Sequence, residues 1–136
     1  MYTNAHSSIG AIILLSIPNL AIALPLAFLS HATLDLISEI SYPAPIRNTK
    51  IIEGLFLLAL LTLAFLTNNY LILIGAFLGN LMDIIDKSLE EMGKKSVFFP
   101  HFPGFPVIYQ IKTQTEQMVI QVCLFVLMAV LVYVIH

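Results

Sequence analysis

The chain has 136 residues, of which 59% are hydrophobic and 10% are charged, and its formal net charge is −2. An average soluble domain is about 45–50% apolar and about 25% charged. The composition excludes a strongly basic nucleic-acid-binding protein, and the single cysteine excludes a disulfide framework or a cysteine-based metal site. These numbers predict one integral-membrane domain over residues 1–136.

The apolar segments predict an all-α fold, a polytopic membrane bundle of about four to five helices. Residues 5–17 are apolar but too short to span a membrane alone, and Pro18-Asn19 is a turn signal. We therefore expect residues 5–17 and 20–40 to form an N-terminal helical hairpin. Because Pro25 can kink a helix, one long kinked span is the open alternative.

Three further helices are expected after the proline-rich break at residues 42–45. They cover residues 49–67, 70–92 and 114–135. Thr113 and Glu116 form a capping box before the last of them. On the fourth helix the small residues Gly75, Ala76 and Gly79 share a stripe, which predicts close approach of a neighbouring helix.

The charged residues predict the orientation of this bundle. All Lys and Arg residues fall in or beside residues 38–53 and 83–116, and an even number of spans separates the two stretches. The positive-inside rule makes their side cytoplasmic. The expected location is therefore the plasma (inner) membrane, multi-pass, with the basic loops and any polar site on the cytoplasmic side.

Polar residues inside the helices mark the candidate site. His31 and Asp35 are four residues apart and share a helix face. Asp83 and Asp86 are three residues apart and do the same on the fourth helix. Ionisable groups at such depth usually face a bundle interior or a wet cavity. The alternatives are a structural His31–Asp35 pair, and an ordinary polar helix end at Asp83 and Asp86.

Two more histidines can join these groups. His6 begins the first helix, and His101 lies in a loop rich in Phe and Pro. Imidazole and carboxylate together are ligands for Zn²⁺ or Mn²⁺. The candidate metal ligands are His6, His31, Asp35, Asp83 and His101. Asp83 and Asp86 are the candidate catalytic carboxylates, since one of two carboxylates can act as a base.

Three segments resemble a known family. They are His6-Ser7-Ser8-Ile9-Gly10-Ala11, the S-H-x-x-L-D segment at residues 30–35, and the L-x-G-A-x-x-G-x-x-x-D-x-x-D segment at residues 73–86. Together they resemble the inner-membrane metal-dependent hydrolase family, which carries S-H-x-x-L-D and P-D-x-D-H motifs. The second motif is degenerate here, with Met82 in place of proline and Lys87 in place of histidine. The resemblance implies a divalent metal and hydrolytic chemistry.

Two functions remain as hypotheses. The first is a metal-dependent hydrolase acting on a lipid-like substrate, in which the metal polarises a phosphate or acyl oxygen. Membrane lipid is then the partner. The second is a non-catalytic small subunit or scaffold of a larger membrane complex, with other membrane subunits as partners.

Overall fold

Five helices make up most of the computed structural model, which describes residues 3–40, 46–94, 109–111 and 113–135. They are α1 (Thr3–Ser16), α2 (Leu20–Ile37), α3 (Ile46–Leu66), α4 (Leu71–Glu91) and α5 (Gln114–Ile135). The predicted all-helical fold with five helices is therefore confirmed. A short parallel pair of strands, β1 (Ser38–Ile40) and β2 (Tyr109–Ile111), was not predicted. It aligns Ser38 with Tyr109 and Ile40 with Ile111.

The helix ends follow local capping chemistry. The side chain of Asn19 accepts a hydrogen bond from the Ala21 amide at 3.0 Å and begins α2. Thr113 accepts one from the Glu116 amide at 3.2 Å and begins α5, as the capping box predicts. Asn68, with φ of 49°, makes the turn between α3 and α4. The chain leaves the helical conformation between Ser16 and Leu20, which confirms the hairpin over a single kinked span.

Helix α1 lies at the centre of the bundle and contacts each of the other four helices. Its residues Ala11 and Leu14 belong to two separate apolar clusters. One cluster joins α1 to α3, α4 and α5, with Leu60, Ile72 and Met128 at its centre. The other packs α1 against α2. A short helix surrounded in this way holds its polar residues away from solvent.

Helices α1 and α4 approach closely at three glycines. A Cβ atom added to Gly79 would lie 2.8 Å from the carbonyl carbon of His6, and one added to Gly10 would collide with the backbone of Gly75. Real side chains do not tolerate such distances to rigid backbone. The expected close approach at Gly75 and Gly79 is therefore confirmed, and its partner is α1.

We expect Gly79→Ala to lower the free energy of unfolding by about 1–3 kcal/mol, because overpacking against backbone forces the two helices apart. Gly54→Ala is the matched control. Gly54 lies inside α3 with nothing near its added Cβ, so alanine there should stabilise by up to about 1 kcal/mol through helix propensity. Urea unfolding measures both variants. Equal effects would contradict the close packing of α1 on α4.

The membrane predictions need correction. Within the described ranges, no helix is both long enough and apolar enough to cross a membrane. Helix α1 has 14 residues, about 21 Å at 1.5 Å per residue, against a hydrocarbon thickness of about 30 Å. Helix α4 is longer but carries Asp83, Asp86 and Lys87 in its second half. The predicted polytopic membrane bundle, its multi-pass inner-membrane location and its cytoplasmic orientation are therefore wrong.

Candidate metal centre

Four ionisable side chains from three helices meet beside the α1–α4 contact. They are His6 on α1, His31 and Asp35 on α2, and Asp83 on α4. Both imidazoles are fully buried, whereas the side chains of Asp35 and Asp83 are 12% and 24% exposed. The hairpin brings the beginning of α1 next to the end of α2, and the glycine contact brings α4 against both. The cluster thus reaches solvent only through its two carboxylates.

Asp35 contacts both imidazoles. Its Oδ1 atom lies 3.3 Å from His6 Nε2, and its Oδ2 atom lies 3.0 Å from His31 Nε2. The same nitrogen of His31 lies 3.4 Å from Asp83 Oδ1. The spacing of four residues between His31 and Asp35 therefore produces the shared face that the sequence predicts. Nε2 of His31 faces two carboxylates at once.

The hydrogen bond made by Nδ1 of His31 determines the charge that is required at Nε2. Nδ1 lies 2.9 Å from the carbonyl oxygen of Gly79. A carbonyl can only accept a hydrogen bond, so Nδ1 holds a proton and donates it. A bare lone pair on Nε2 would then point at the carboxylates of Asp35 and Asp83 and be repelled. The site therefore requires positive charge at Nε2, supplied either by a second proton or by a metal ion.

The pKa values of His31 and of the two carboxylates also indicate a positive charge at Nε2. Burial lowers the pKa of His31, but the hydrogen bond to Asp35, followed by that to Asp83, outweighs burial and raises it to about 10. Burial favours the neutral forms of both carboxylates. The hydrogen bond from His31 overcomes this and holds the pKa of Asp35 and of Asp83 below the usual range. Without a metal, His31 is an imidazolium paired with two carboxylates.

His6 is in a different state. Its ring stacks on that of His31 with centroids 4.0 Å apart and an angle of 22° between the planes. Burial lowers the pKa of His6 and prevails over the neighbouring Asp35 carboxylate. The ring is therefore neutral near pH 7. Its Nδ1 atom is buried and has no hydrogen-bond partner among the described residues. A buried nitrogen without a partner costs about 1–3 kcal/mol.

The donor atoms have the spacing of a metal shell. One ligand atom each from His6, His31 and Asp83 lies within 4.8 Å of the other two. In a tetrahedral site with bonds of about 2.0–2.1 Å, neighbouring ligand atoms are roughly 3.3 Å apart. Among these three residues, His31 Nε2 and Asp83 Oδ1 are 3.4 Å apart, which is close to that value. His6, His31 and Asp83 are therefore within metal-binding distance of one another, whereas Asp35, also predicted as a ligand, is not part of this set.

The remaining predicted site residues lie elsewhere. Asp86 is buried one turn beyond Asp83 on α4, and it is not part of the set of three mutually close donors. His101 lies outside the described residues. The roles predicted for these two residues stay predictions.

Two further groups beside the imidazoles were not predicted, the Gly79 carbonyl and the Ser7 hydroxyl. The Gly79 carbonyl accepts a hydrogen bond from His31 Nδ1, and the absent side chain at Gly79 leaves room for α1. Nδ2 of Asn80 donates to Ser7 Oγ at 2.6 Å and to the Ala76 carbonyl at 2.7 Å. The glycine spacing indicated close helix packing at Gly79 but not the carbonyl acceptor. Nothing in the sequence singles out Ser7 as the partner of Asn80.

Comparison with known proteins adds no relative: no family model, curated protein or solved structure matches this chain. The resemblance to metal-dependent hydrolases stays a prediction, and the function is argued from the geometry of the site.

Proposed function

We propose that this protein is a metal-dependent hydrolase in which His6, His31 and Asp83 bind one divalent ion, Zn²⁺ or Mn²⁺. The observation that carries the proposal is the position of His31 Nε2. It faces two carboxylates, while Nδ1 donates to the carbonyl of Gly79. A metal-bound histidine usually donates its other N–H to a carbonyl or carboxylate in this way, which fixes the ring and the tautomer.

The donor set favours a catalytic site over a structural one. Two imidazoles and one carboxylate are a three-ligand shell that leaves a position open for water or substrate. The partial exposure of Asp83 gives that position access to solvent. Zn²⁺ and Mn²⁺ both accept such mixed shells.

Asp35 has a separate role in this proposal. Its two oxygens face the Nε2 atoms of both imidazoles, so it would add negative charge beside the bound ion. Because it lies beside the metal position without being one of the three ligands, it is the candidate to accept a proton from an attacking water. A bound divalent metal would lower the pKa of that water and polarise the ester or phosphoester oxygen. The substrate class is a lipid-like ester.

Elemental analysis and hydrolysis assays test this function together. Protein purified without chelator should contain about one transition-metal ion per chain, as a three-ligand site implies. It should also hydrolyse a p-nitrophenyl ester or phosphate. Dialysis against a chelator should abolish the activity, and Zn²⁺ or Mn²⁺ should restore it. A chain that takes up neither ion after such dialysis would rule out the hydrolase.

A second candidate is a non-catalytic subunit of a larger complex. It is favoured by large apolar side chains that α3 and α5 leave exposed, including Phe65 at 65%, Leu66 at 81% and Tyr133 at 85%. Where such side chains form a contiguous patch, the patch usually marks an interaction site. Under this proposal the His31 imidazolium and its two carboxylates only hold α2 and α4 together. Such a protein would purify with fixed partners and contain no stoichiometric metal.

A further inference from the structure

A groove on the α1–α2 hairpin lies next to the candidate metal centre. Its volume is about 320 Å³, at the small end of the range for ligand pockets. Five large apolar residues form most of its wall, namely Ile9, Ile13, Leu26, Leu29 and Leu34. Leu26 and Leu29 are 43% and 52% exposed, so an apolar occupant would remove substantial apolar surface from water.

The two polar residues of the groove do not offer donors to a ligand. Ser30 Oγ donates to the Ala27 carbonyl at 2.7 Å, and Thr33 Oγ1 donates to the Leu29 carbonyl at 3.4 Å. Both hydroxyl groups are thus directed to the backbone of their own helix. A polar head group would find no free donor among these side chains, whereas a hydrocarbon chain needs none.

The groove lies beside the metal centre along both helices, although no residue of the centre lines it. On α1, Ile9 follows His6 by three residues, and on α2, Leu34 follows His31 by three residues. Residues three apart share a helix face. Each wall of the groove therefore carries an apolar side chain one turn from an imidazole of the site. A molecule whose head reaches the metal position past the partly exposed Asp35 and Asp83 can extend its tail along the hairpin.

We propose that this groove binds the alkyl chain of the substrate, so that the enzyme acts on a single-chain amphiphile whose ester or phosphoester head lies at the metal centre. The inference rests on the proposed function for the position of the head group. The occupant is an unbranched hydrocarbon chain. Its methylene groups replace water against the leucine and isoleucine side chains.

Binding of a series of n-alkyl hydroxamates to the Zn²⁺-loaded protein separates the contribution of the head group from that of the alkyl chain. The hydroxamate group chelates transition metals, so acetohydroxamate reports the metal alone. Lengthening the chain from two to ten carbons, below the micelle-forming concentration, should tighten the Kd by roughly fourfold for each methylene buried, until the groove is filled. Isothermal titration calorimetry measures the Kd and the stoichiometry. A Kd that does not change with chain length would overturn the groove assignment.

Thr33→Trp and Thr62→Trp form the matched pair of variants. Both threonines are exposed and both donate to a carbonyl of their own helix, but only Thr33 lines the groove. Thr33→Trp should fill the groove and weaken decanohydroxamate at least tenfold, with acetohydroxamate and zinc content unchanged. Thr62→Trp should bind like the wild type. If both variants lose decanohydroxamate affinity equally, or if Thr33→Trp loses none, the alkyl chain binds to the exposed apolar faces outside the groove. Either result would refute the proposal.

A protein that binds no metal is tested with a different probe. If the protein takes up no metal, the proposed function is wrong, and decanoate then replaces the hydroxamate as the probe. Binding of decanoate that Thr33→Trp abolishes and Thr62→Trp keeps would retain the groove as an alkyl-chain site. Decanoate binding that neither variant changes would reject the groove as well.

Discussion

Replacing Asp83 by asparagine is expected to remove the metal from the protein while leaving the fold intact. Asparagine has nearly the same shape, and the Asp83 side chain is 24% exposed, so the substitution neither creates a cavity nor buries a new charge. It removes the one carboxylate among the three mutually close donors. Loss of an outer-shell partner costs about 10–100-fold in metal affinity, so loss of a direct ligand should exceed about 100-fold.

Glu91→Gln is the control for this variant. It also removes one negative charge from α4, but Glu91 is exposed at the end of the helix. Metal content after dialysis, measured by elemental analysis, and Zn²⁺ affinity, measured by titration calorimetry, should stay at the wild-type level in Glu91→Gln. If both variants lose metal equally, the ion is held by the general negative charge of α4 and not by the cluster.

The outcome also decides between the two functions. In a purely structural network, Asp83 only balances the His31 imidazolium. Asp83→Asn would then lower the stability of a protein that never held a metal. In the hydrolase, the same variant loses metal and activity together, whereas its stability in the metal-free state changes by no more than the loss of one partly exposed ion pair. Measuring unfolding and metal content on the same samples separates these cases.

The fold was predictable where local signals determine it. The turn at Pro18-Asn19 and the capping box at Thr113 mark helix ends through interactions within a few residues. The β1–β2 pair joins residues about 70 positions apart, and three-residue strands leave no periodic signal. The membrane assignment failed because composition counts apolar residues without saying where they lie. Among the described residues, no helix combines the length and the apolar character that a membrane span needs.

The candidate site was predictable one helix at a time. Helical periodicity placed His31 beside Asp35, and the structure joins them at 3.0 Å. Periodicity does not show which helices pack together, so the contact of His6 with Asp35 could be expected only from the predicted hairpin. The hydrogen bond from His31 to the Gly79 carbonyl was not predictable. It depends on the packing of α2 against α4, and backbone acceptors leave no mark in a sequence.

Metal-free protein is expected to lose stability as the pH rises from about 6.5 toward 10. The folded-state pKa of His31 is raised from 6.5 to about 10, so above pH 6.5 the folded state keeps a proton that the unfolded chain releases. This contribution is complete below pH 6.5 and is lost as the pH rises through 10. For one proton the slope is at most about 1.4 kcal/mol per pH unit.

The acid side has the opposite sign. The lowered pKa values of Asp35 and Asp83 stabilise the fold above the ordinary value of 3.8, and this contribution is lost as the pH falls. The lowered pKa of His6 means that the unfolded chain takes up a proton below pH 6.5 more readily than the folded protein does. Acidification therefore also destabilises the fold. Among these four groups, only His31 produces a loss of stability on the alkaline side.

Urea unfolding between pH 6.5 and 9 tests the alkaline loss of stability. The samples are the wild type, His31→Gln and the wild type with saturating Zn²⁺. Glutamine is similar in size and can donate to Gly79, but it carries no titrating proton, so the alkaline loss should largely disappear. Zinc should also remove it, because the ion takes the place of the proton between Asp35 and Asp83. A slope unchanged in His31→Gln would show that the imidazolium is not its source. If His31→Gln flattens the slope but zinc leaves it unchanged, the cluster is a structural ion network, since a proton and a metal cannot both occupy Nε2.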